Sequence, residues 1–145
     1  RRPPPRAPKL VAELRNDYEG LIRKLGCDPK AVIFGGRSMG GRICSMAAAE
    51  SMPTAGLLLL SYPLHPPTSP EKLRVDHFEN IESPTLFVSG NNDPFGSPEE
   101  FKQHVSSIKG NVTTEFLEGG RHDPSSRAHI VSIVDAVTSW VSAFS

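Results

Sequence analysis

Gly35-Gly36-Arg37-Ser38-Met39-Gly40-Gly41-Arg42 is the stretch around which the chain is organised. It follows the short apolar run 31–34 and precedes 43–49, a run of good helix formers. Residues 36–40 fit G-x-S-x-G, the pattern of a serine set on a sharp turn between a strand and a helix. The pattern indicates that strand and helix approach closely, because a side chain at either outer glycine would collide with its neighbours. Ser38 is therefore a candidate nucleophile.

The residues that flank Ser38 extend this hypothesis. A helix that starts directly after the serine directs its first backbone N–H groups, and the positive end of its dipole, at the place where an oxyanion would form. The N–H of Met39 is the expected donor. Arg37 either faces the mouth of a pocket and favours anionic substrates or meets solvent, and both interpretations stay open. Arg42, one turn further on, is expected to form a structural ion pair.

Composition is typical of an ordinary globular domain. The 145 residues are 37% hydrophobic, which is enough for a single domain over residues 1–145 with one core. Lys and Arg together number 16, as do Asp and Glu, so no excess of positive charge favours a nucleic-acid partner. The longest apolar run, 55–60, is far shorter than a membrane span, and we expect no membrane partner.

Neither the cysteines nor the other ligand-type residues indicate a metal or a cofactor. Cys27 and Cys44 are too few for a disulfide framework, which favours a reducing, cytoplasmic setting. No residue set has metal-ligand spacing and no glycine-rich loop has phosphate-binding spacing. We therefore expect chemistry that side chains alone can perform, with no metal and no cofactor.

Hydrophobic periodicity predicts an alternation of helices and strands. Residues 1–8 contain four prolines and are expected to be an extended, polyproline-like segment. The predicted elements are helix 9–25, strand 31–34, helix 39–51, strand 56–61, short helix 71–78, strand 84–89, helix 98–109, strand 112–117 and helix 127–144. Such alternation favours an α/β fold, with a mostly parallel sheet of about four strands and helices on both faces. The apolar residues expected to face the core from the last helix are Ile130, Val131, Ile133, Val134, Val137, Trp140, Val141 and Phe144.

An acid and a histidine follow Ser38 at the positions where a serine nucleophile needs them. The hydroxyl becomes reactive only when a base removes its proton, and that base needs an orienting carboxylate. Asp93 follows the strand that ends at Ser89, and His122 follows the strand that ends at Leu117. Parallel strands bring their carboxyl ends to one edge of the sheet. We therefore predict that Ser38, Asp93 and His122 are the catalytic residues.

Other acids and histidines provide alternatives. Asp123 is a second candidate acid, although it adjoins the histidine and would have to bend back to its ring. Asp93 also fits a turn-capping aspartate before a proline. Tyr62 and His65, in a proline-rich loop, either shape a substrate pocket or simply pack. Three further histidines lie in predicted helical stretches and are expected to face solvent: His77, His104 and His129.

Several sequence blocks, taken together, resemble one known family. They are 35–42, 61–67, 70–74, 86–90 with 93–96, and 117–120 with 122–123, in this order. The chain is similar in these blocks to the α/β-hydrolase-fold family that contains testis-expressed protein 30 and the hydrolase-like domain of a nonspecific-lethal histone acetyltransferase complex subunit. Bacterial members of that family resemble dienelactone hydrolases. The resemblance implies Ser38 as nucleophile, Asp93 as acid and His122 as base, and it implies no particular substrate.

The start of the chain departs from that family. Members carry earlier strands and a loop that supplies a second oxyanion N–H, whereas this sequence opens at the Arg-Pro-rich segment that normally follows them. We therefore expect the C-terminal part of an α/β-hydrolase fold, from an N-terminally truncated member. The serine-bearing strand would then have an exposed edge, open to a protein partner or a second copy. One missing oxyanion donor would cost about 3 kcal/mol of transition-state stabilisation.

The sequence therefore predicts a serine hydrolase that transfers an acyl group to water. A small ester, lactone or thioester is the expected substrate, and Gly36, Gly40 and Met39 are expected to form the turn and the oxyanion site. The alternative is a non-catalytic protein-interaction module that keeps the fold, because the chromatin-complex branch suggests scaffolding.

Overall fold

A single parallel sheet forms the centre of the computed structural model, which describes residues 6–144. Its strands are β1 (Ile33–Arg37), β2 (Gly56–Leu60), β3 (Thr85–Gly90) and β4 (Val112–Leu117). They lie side by side in the order β1-β2-β3-β4, and every neighbouring pair is parallel. Each connection therefore crosses over the sheet. The carboxyl ends of all four strands meet at one edge, as predicted.

Helices cover both faces of this sheet. They are α1 (Ala7–Leu25), α2 (Met39–Ala49), α3 (Pro98–Val105) and α4 (Arg127–Ser142), with short 3-10 turns at Pro29–Ala31 and Phe78–Asn80. Successive residues of β2 point to opposite faces. Leu57 and Leu59 pack in the cluster that contains residues of α2 and α3, whereas Leu58 and Leu60 pack beside Trp140 of α4. The predicted α/β class, with helices on both faces, is confirmed.

The first helix begins earlier than its prolines suggested. Helix α1 starts at Ala7, with Pro8 in its first turn. The prediction that residues 1–8 are all extended is therefore wrong for Ala7 and Pro8. Proline is tolerated there because the first helical N–H groups have no partner within the helix. Arg6 is extended, and residues 1–5 lie outside the described part of the chain. The helix ends at Gly26, whose φ of 62° is the left-handed conformation that glycine adopts readily.

The segment between β2 and β3 is largely not helical. A helix was predicted over 71–78, but the structure has only the 3-10 turn Phe78–Asn80 there. Backbone groups of Arg74 instead anchor the segment. The Arg74 N–H donates to the Leu64 carbonyl at 2.8 Å, and the Arg74 carbonyl accepts from the Tyr62 hydroxyl at 2.7 Å. These long-range bonds replace the i to i−4 bonds that a helix would make. Helices α2 and α3 also end earlier than predicted, at Ala49 and Val105.

Helix α4 exposes much of the apolar surface that was expected to face the core. Trp140 is buried against β3 and β4, and Ile133 and Val137 are partly buried beside it. The prediction is wrong for five residues, whose exposure lies between 40% and 55%: Ile130, Val131, Val134, Val141 and Phe144. Apolar residues surround more of the helix than the sheet can cover, because a helix contacts a sheet along one stripe only.

Candidate active site

The turn between β1 and α2 places Ser38 in a strained backbone conformation. Its φ of 51° and ψ of −121° lie outside the regions that side-chain-bearing residues normally adopt. Two backbone hydrogen bonds hold the residue: its N–H donates to the Leu60 carbonyl at 2.8 Å, and its carbonyl accepts from the Arg42 N–H at 3.1 Å. The turn is therefore fixed between the neighbouring strand and the first turn of the helix. We call it the serine turn.

Close packing of the serine turn depends on Gly36 and Gly41. A Cβ atom on Gly36 would lie 2.6 Å from the Gly40 carbonyl carbon, and one on Gly41 would lie 2.7 Å from the Gly36 oxygen. A Cβ atom on Gly40 would meet nothing within 4 Å. The predicted collision would therefore occur at Gly36, whereas the prediction is wrong for Gly40. The helix turns its Gly41 side towards the strand, one residue beyond the end of the G-x-S-x-G pattern.

Three polar side chains from three strand ends form a hydrogen-bonded chain. Ser38 Oγ lies 2.8 Å from His122 Nε2, and His122 Nδ1 lies 2.9 Å from Asp93 Oδ2. The Asp93 side chain is 1% exposed and that of His122 is 22% exposed. Water therefore has little access to the carboxylate but can reach the edge of the imidazole. We call this arrangement the Ser38–His122–Asp93 relay.

The loop after β3 fixes both oxygens of Asp93. Oδ2 faces the imidazole, and Oδ1 accepts a hydrogen bond from the Phe95 N–H at 2.9 Å. The Phe95 ring also stacks on the His122 ring, with centroids 4.0 Å apart and planes inclined by 29°. Asp93 caps its turn, as its alternative interpretation predicted, and at the same time contacts the histidine. The two interpretations are therefore compatible.

The loop that carries Asp93 (the acid loop) and the loop that carries His122 (the histidine loop) are also bound directly to each other. The Asn91 side chain donates to Glu118 at 3.1 Å and accepts from the Gly119 N–H at 2.9 Å, while the Asn92 N–H donates to the Gly120 carbonyl at 2.8 Å. Both loops thus form one connected unit. The position of His122 relative to Asp93 follows from backbone contacts as well as from their own hydrogen bond.

Arg37 connects the serine turn to the histidine loop. Its guanidinium lies 2.9 Å from Asp123 Oδ1 and donates a longer bond of 3.4 Å to the His122 carbonyl. Half of its side chain is exposed. Asp123, the alternative acid, therefore pairs with arginine, and Asp93 is the carboxylate bound to the histidine ring.

Met39 is the first residue of α2 and directly follows the serine. Its N–H is one of the helix-initial groups that have no partner within the helix. Its side chain is 41% exposed. The position is thus the one expected for an oxyanion donor.

Comparisons with known proteins agree with the fold. A family model described as an alpha/beta hydrolase domain matches residues 1–139. The chain belongs to this family. Its fold is therefore that of an α/β hydrolase domain, as the sequence blocks suggested, whereas the finer branch around testis-expressed protein 30 stays a prediction.

Solved structures of hydrolases have a similar fold. A monoacylglycerol lipase from Paleococcus ferrophilus matches with a TM-score of 0.72 and 16% identity, over 93% of this chain and 76% of the lipase. An acylaminoacyl peptidase from Pyrococcus horikoshii matches with a TM-score of 0.71 and 14% identity, over 92% of this chain and 27% of the peptidase. SOBER1 from Arabidopsis thaliana matches with a TM-score of 0.64 and 17% identity, over 95% of this chain and 64% of SOBER1. At these identities the likeness is one of fold, and the chain spans about a quarter of the peptidase.

The structure places Tyr62 and His65 in the interior of this α/β hydrolase domain. Tyr62 is fully buried among aromatic core residues, and burial raises the pKa of its hydroxyl. His65 is also buried, with Nε2 2.7 Å from Glu100 Oε2 and Nδ1 2.8 Å from the Pro66 carbonyl. Both side chains are almost fully buried and hydrogen-bonded, so the structure favours the packing interpretation of both. Glu100 also accepts a hydrogen bond from the Ser97 N–H at the start of α3, and no sequence pattern related it to His65.

Two of the three remaining histidines have specific partners. His77 Nε2 lies 2.8 Å from Ser45 Oγ, and burial, followed by the charge of Arg42, lowers the pKa of His77 to about 4. His129 Nε2 lies 2.8 Å from the Glu118 carbonyl. The expectation that His77 faces solvent is therefore wrong, whereas His129 is half-buried and its hydrogen bond is exposed. Ser45 of α2 approaches His77, and Glu118 of the loop after β4 approaches His129.

No group of three or more His, Cys, Asp or Glu side chains among residues 6–144 could hold a metal ion. No helix in the same range is long and apolar enough to cross a membrane.

Proposed function

We propose that this α/β hydrolase domain is a serine hydrolase that transfers an acyl group to water. The observation that carries the proposal is the Ser38–His122–Asp93 relay, with distances of 2.8 Å and 2.9 Å. A hydroxyl on a strained turn, an imidazole and a buried carboxylate in this order are what nucleophilic acyl transfer requires. The family membership of the chain supports the same reaction class.

Each residue of the relay has a distinct role. Ser38 Oγ attacks the carbonyl carbon while His122 Nε2 accepts its proton, and Asp93 stabilises the resulting imidazolium through Nδ1. His122 then returns the proton to the leaving group, and the acyl-enzyme is hydrolysed when the same nitrogen removes a proton from water. The Met39 N–H donates to the developing oxyanion from the helix N-terminus.

The substrate class we propose is a small ester, lactone or thioester. The described residues supply one oxyanion donor, Met39, and loss of one such donor reduces kcat by about 10²–10³ in comparable sites. We also propose the testis-expressed protein 30 branch as the nearest family branch and a reducing, cytoplasmic setting, because Cys27 and Cys44 are free thiols.

Hydrolysis of p-nitrophenyl acetate tests the proposal. We expect measurable turnover by the wild type, and loss to the background rate in Ser38→Ala and His122→Gln. Ser89→Ala is the matched control, because Ser89 is a buried serine near the end of β3 and its Oγ has no hydrogen-bond partner among residues 6–144. Equal turnover by the wild type and Ser38→Ala would refute the hydrolase assignment.

The second candidate function is a protein-interaction module. Strand β1 is at the end of the sheet, so its outer edge is not paired within residues 6–144. Such an edge can add a strand from a partner or from a second copy. This function predicts that Ser38→Ala binds the partner as the wild type does. It also predicts that neither the wild type nor Ser38→Ala hydrolyses the ester.

A further inference from the structure

Two arginines, Arg42 of α2 and Arg74 of the segment after β2, have no acidic partner among residues 6–144. Arg42 was expected to form a structural ion pair, but no carboxylate within residues 6–144 lies within 4.0 Å of its guanidinium or that of Arg74. The Nε atom of Arg42 is enclosed and has no hydrogen-bond partner in the described part of the chain. An enclosed, charged N–H donor without an acceptor is costly, so the feature calls for an explanation.

Hydrogen bonds from neighbouring residues anchor the two segments that carry these arginines. Ser45 Oγ donates to the Arg42 carbonyl at 2.7 Å and lies 2.8 Å from His77 Nε2. The Tyr62 hydroxyl donates to the Arg74 carbonyl at 2.7 Å. These bonds tie the segment after β2, which carries Arg74 and His77, to the turn of α2 that carries Arg42. The placement of both arginines is therefore built into the fold.

The two guanidinium groups are close enough to influence each other. Burial, followed by the positive charge of Arg42, lowers the pKa of Arg74. The same charge also lowers the pKa of His77, whereas the nearby Asp76 acts in the opposite direction on that histidine. Guanidinium groups remain charged at all accessible pH values. Two partly buried cations thus influence each other, and no carboxylate among residues 6–144 forms an ion pair with either of them.

We propose that Arg42 and Arg74 together bind an oxyanion group, a carboxylate or a phosphate. Planar guanidinium forks match the two oxygens of such groups better than any other side chain does. Arg42 itself lies one helical turn after the nucleophile, because its backbone N–H donates to the Ser38 carbonyl at 3.1 Å.

The oxyanion group is either a free anion or the anionic end of a larger ligand. If that ligand is the acyl substrate, this part of the inference rests on the proposed function. The binding measurement itself needs no acyl chemistry, so it can fail or succeed independently of the hydrolase assignment.

Calorimetric titration at constant ionic strength tests the site with inorganic phosphate, phenyl phosphate and benzoate as probes. We expect the wild type to bind at least one of them, and Arg42→Gln and Arg74→Gln each to bind at least tenfold more weakly. Arg23→Gln removes an exposed cation from α1 and is the control, expected to bind as the wild type does. Tighter binding of phenyl phosphate or benzoate than of inorganic phosphate indicates a larger organic ligand, and the reverse order indicates a free anion.

Thermal unfolding without and with the anionic probe separates a binding role from a structural one. Without the anion, Arg42→Gln should unfold at the same or a higher temperature than the wild type, because it removes repulsion and an unpartnered donor. With the probe that binds in the titration, only the wild type and Arg23→Gln should gain stability. The proposal is overturned if none of the three probes binds, or if the double variant Arg42→Gln/Arg74→Gln binds them as well as the wild type does. Strong destabilisation of Arg42→Gln in the absence of anion would also overturn it.

Discussion

The Asp93 carboxylate lies 2.9 Å from Nδ1 of His122 although its side chain is 1% exposed. A buried carboxylate is stable only when its oxygens are bound, and both oxygens of Asp93 are, one by the imidazole and one by the Phe95 N–H. The pair therefore fixes the orientation of the imidazole and favours its Nδ1–H tautomer. That tautomer leaves Nε2 free to accept the proton of Ser38.

Asp93→Asn should remove this tautomer preference while leaving the packing intact. We expect kcat to fall by about 10⁴, because an amide that donates to Nδ1 directs the imidazole proton to the wrong nitrogen. Asp123→Asn is the matched control, since Asp123 is the neighbouring acid and its partner is Arg37. It should change kcat by less than about tenfold, because exposed ion pairs contribute little energy. Steady-state ester hydrolysis measures kcat for both variants. Equal losses of kcat in the two variants would contradict the assignment of Asp93 as the catalytic acid.

Gly36→Ala and Gly40→Ala should have opposite effects on stability. A methyl group on Gly36 would overlap the backbone of α2, so we expect the free energy of unfolding to fall by about 1–3 kcal/mol or more. A methyl group on Gly40 meets open space and removes a glycine from a helix, which should stabilise the protein by up to about 1 kcal/mol. Urea denaturation checks both variants. Destabilisation by Gly40→Ala as large as that by Gly36→Ala would contradict the described packing.

Ser89→Ala should maintain or raise stability. Ser89 Oγ is buried and has no hydrogen-bond partner among residues 6–144, so its removal abolishes an unfavourable desolvation of about 1–3 kcal/mol. Thr85→Val is the contrasting variant in the same strand, because the Thr85 hydroxyl donates to the Ser83 carbonyl at 3.0 Å. We expect it to destabilise the protein. The melting temperatures of the two variants should therefore move in opposite directions, and a clear loss in Ser89→Ala would contradict the prediction.

His77 should make stability depend on pH between about 4 and 6.5. Burial lowers the pKa of folded His77 to about 4 from its ordinary 6.5, so in this range the unfolded chain binds the extra proton. Stability is therefore present above pH 6.5 and is lost as pH falls towards 4, by at most about 3 kcal/mol. Between pH 7 and pH 5 the expected loss from this group is about 2 kcal/mol.

His77→Gln should remove that part of the pH dependence and keep a side-chain donor for Ser45. Denaturant unfolding at pH 7 and pH 5 measures the difference for the wild type, His77→Gln and the control His104→Gln. Only His77→Gln should show a smaller loss than the wild type. The same loss in all three proteins would show that other groups cause it.

The sequence was sufficient for the sheet but not for all of the packing around it. Continuous apolar runs defined the buried strands β2 and β3, and the turn residues after each strand located Asp93 and His122, whose catalytic roles stay predictions. The buried face of helix α4 was harder to predict, because its apolar residues cover more of its circumference than the sheet contacts. Periodicity identifies an apolar face, but only the neighbouring elements determine how much of it is buried.

Side-chain contacts between distant segments could not be predicted from the sequence either. The His77–Ser45 and His65–Glu100 contacts join residues that are 32 and 35 positions apart, and no local pattern relates them. The close approach at the serine turn was assigned to Gly40, whereas Gly41 makes it, because the rotation of α2 against the strand determines which glycine faces inward.

Labelling with a fluorophosphonate tests the central claim most directly, because the probe reacts with an activated serine whatever the natural substrate is. Intact-mass and peptide analysis of the labelled chain should show one adduct, on Ser38. Labelling of His122→Gln should be at least about 10²-fold slower, because general-base assistance contributes that much or more. Ser38→Ala should remain unlabelled, and Ser89→Ala should react as the wild type does. Wild-type protein that labels no faster than Ser38→Ala would contradict the account.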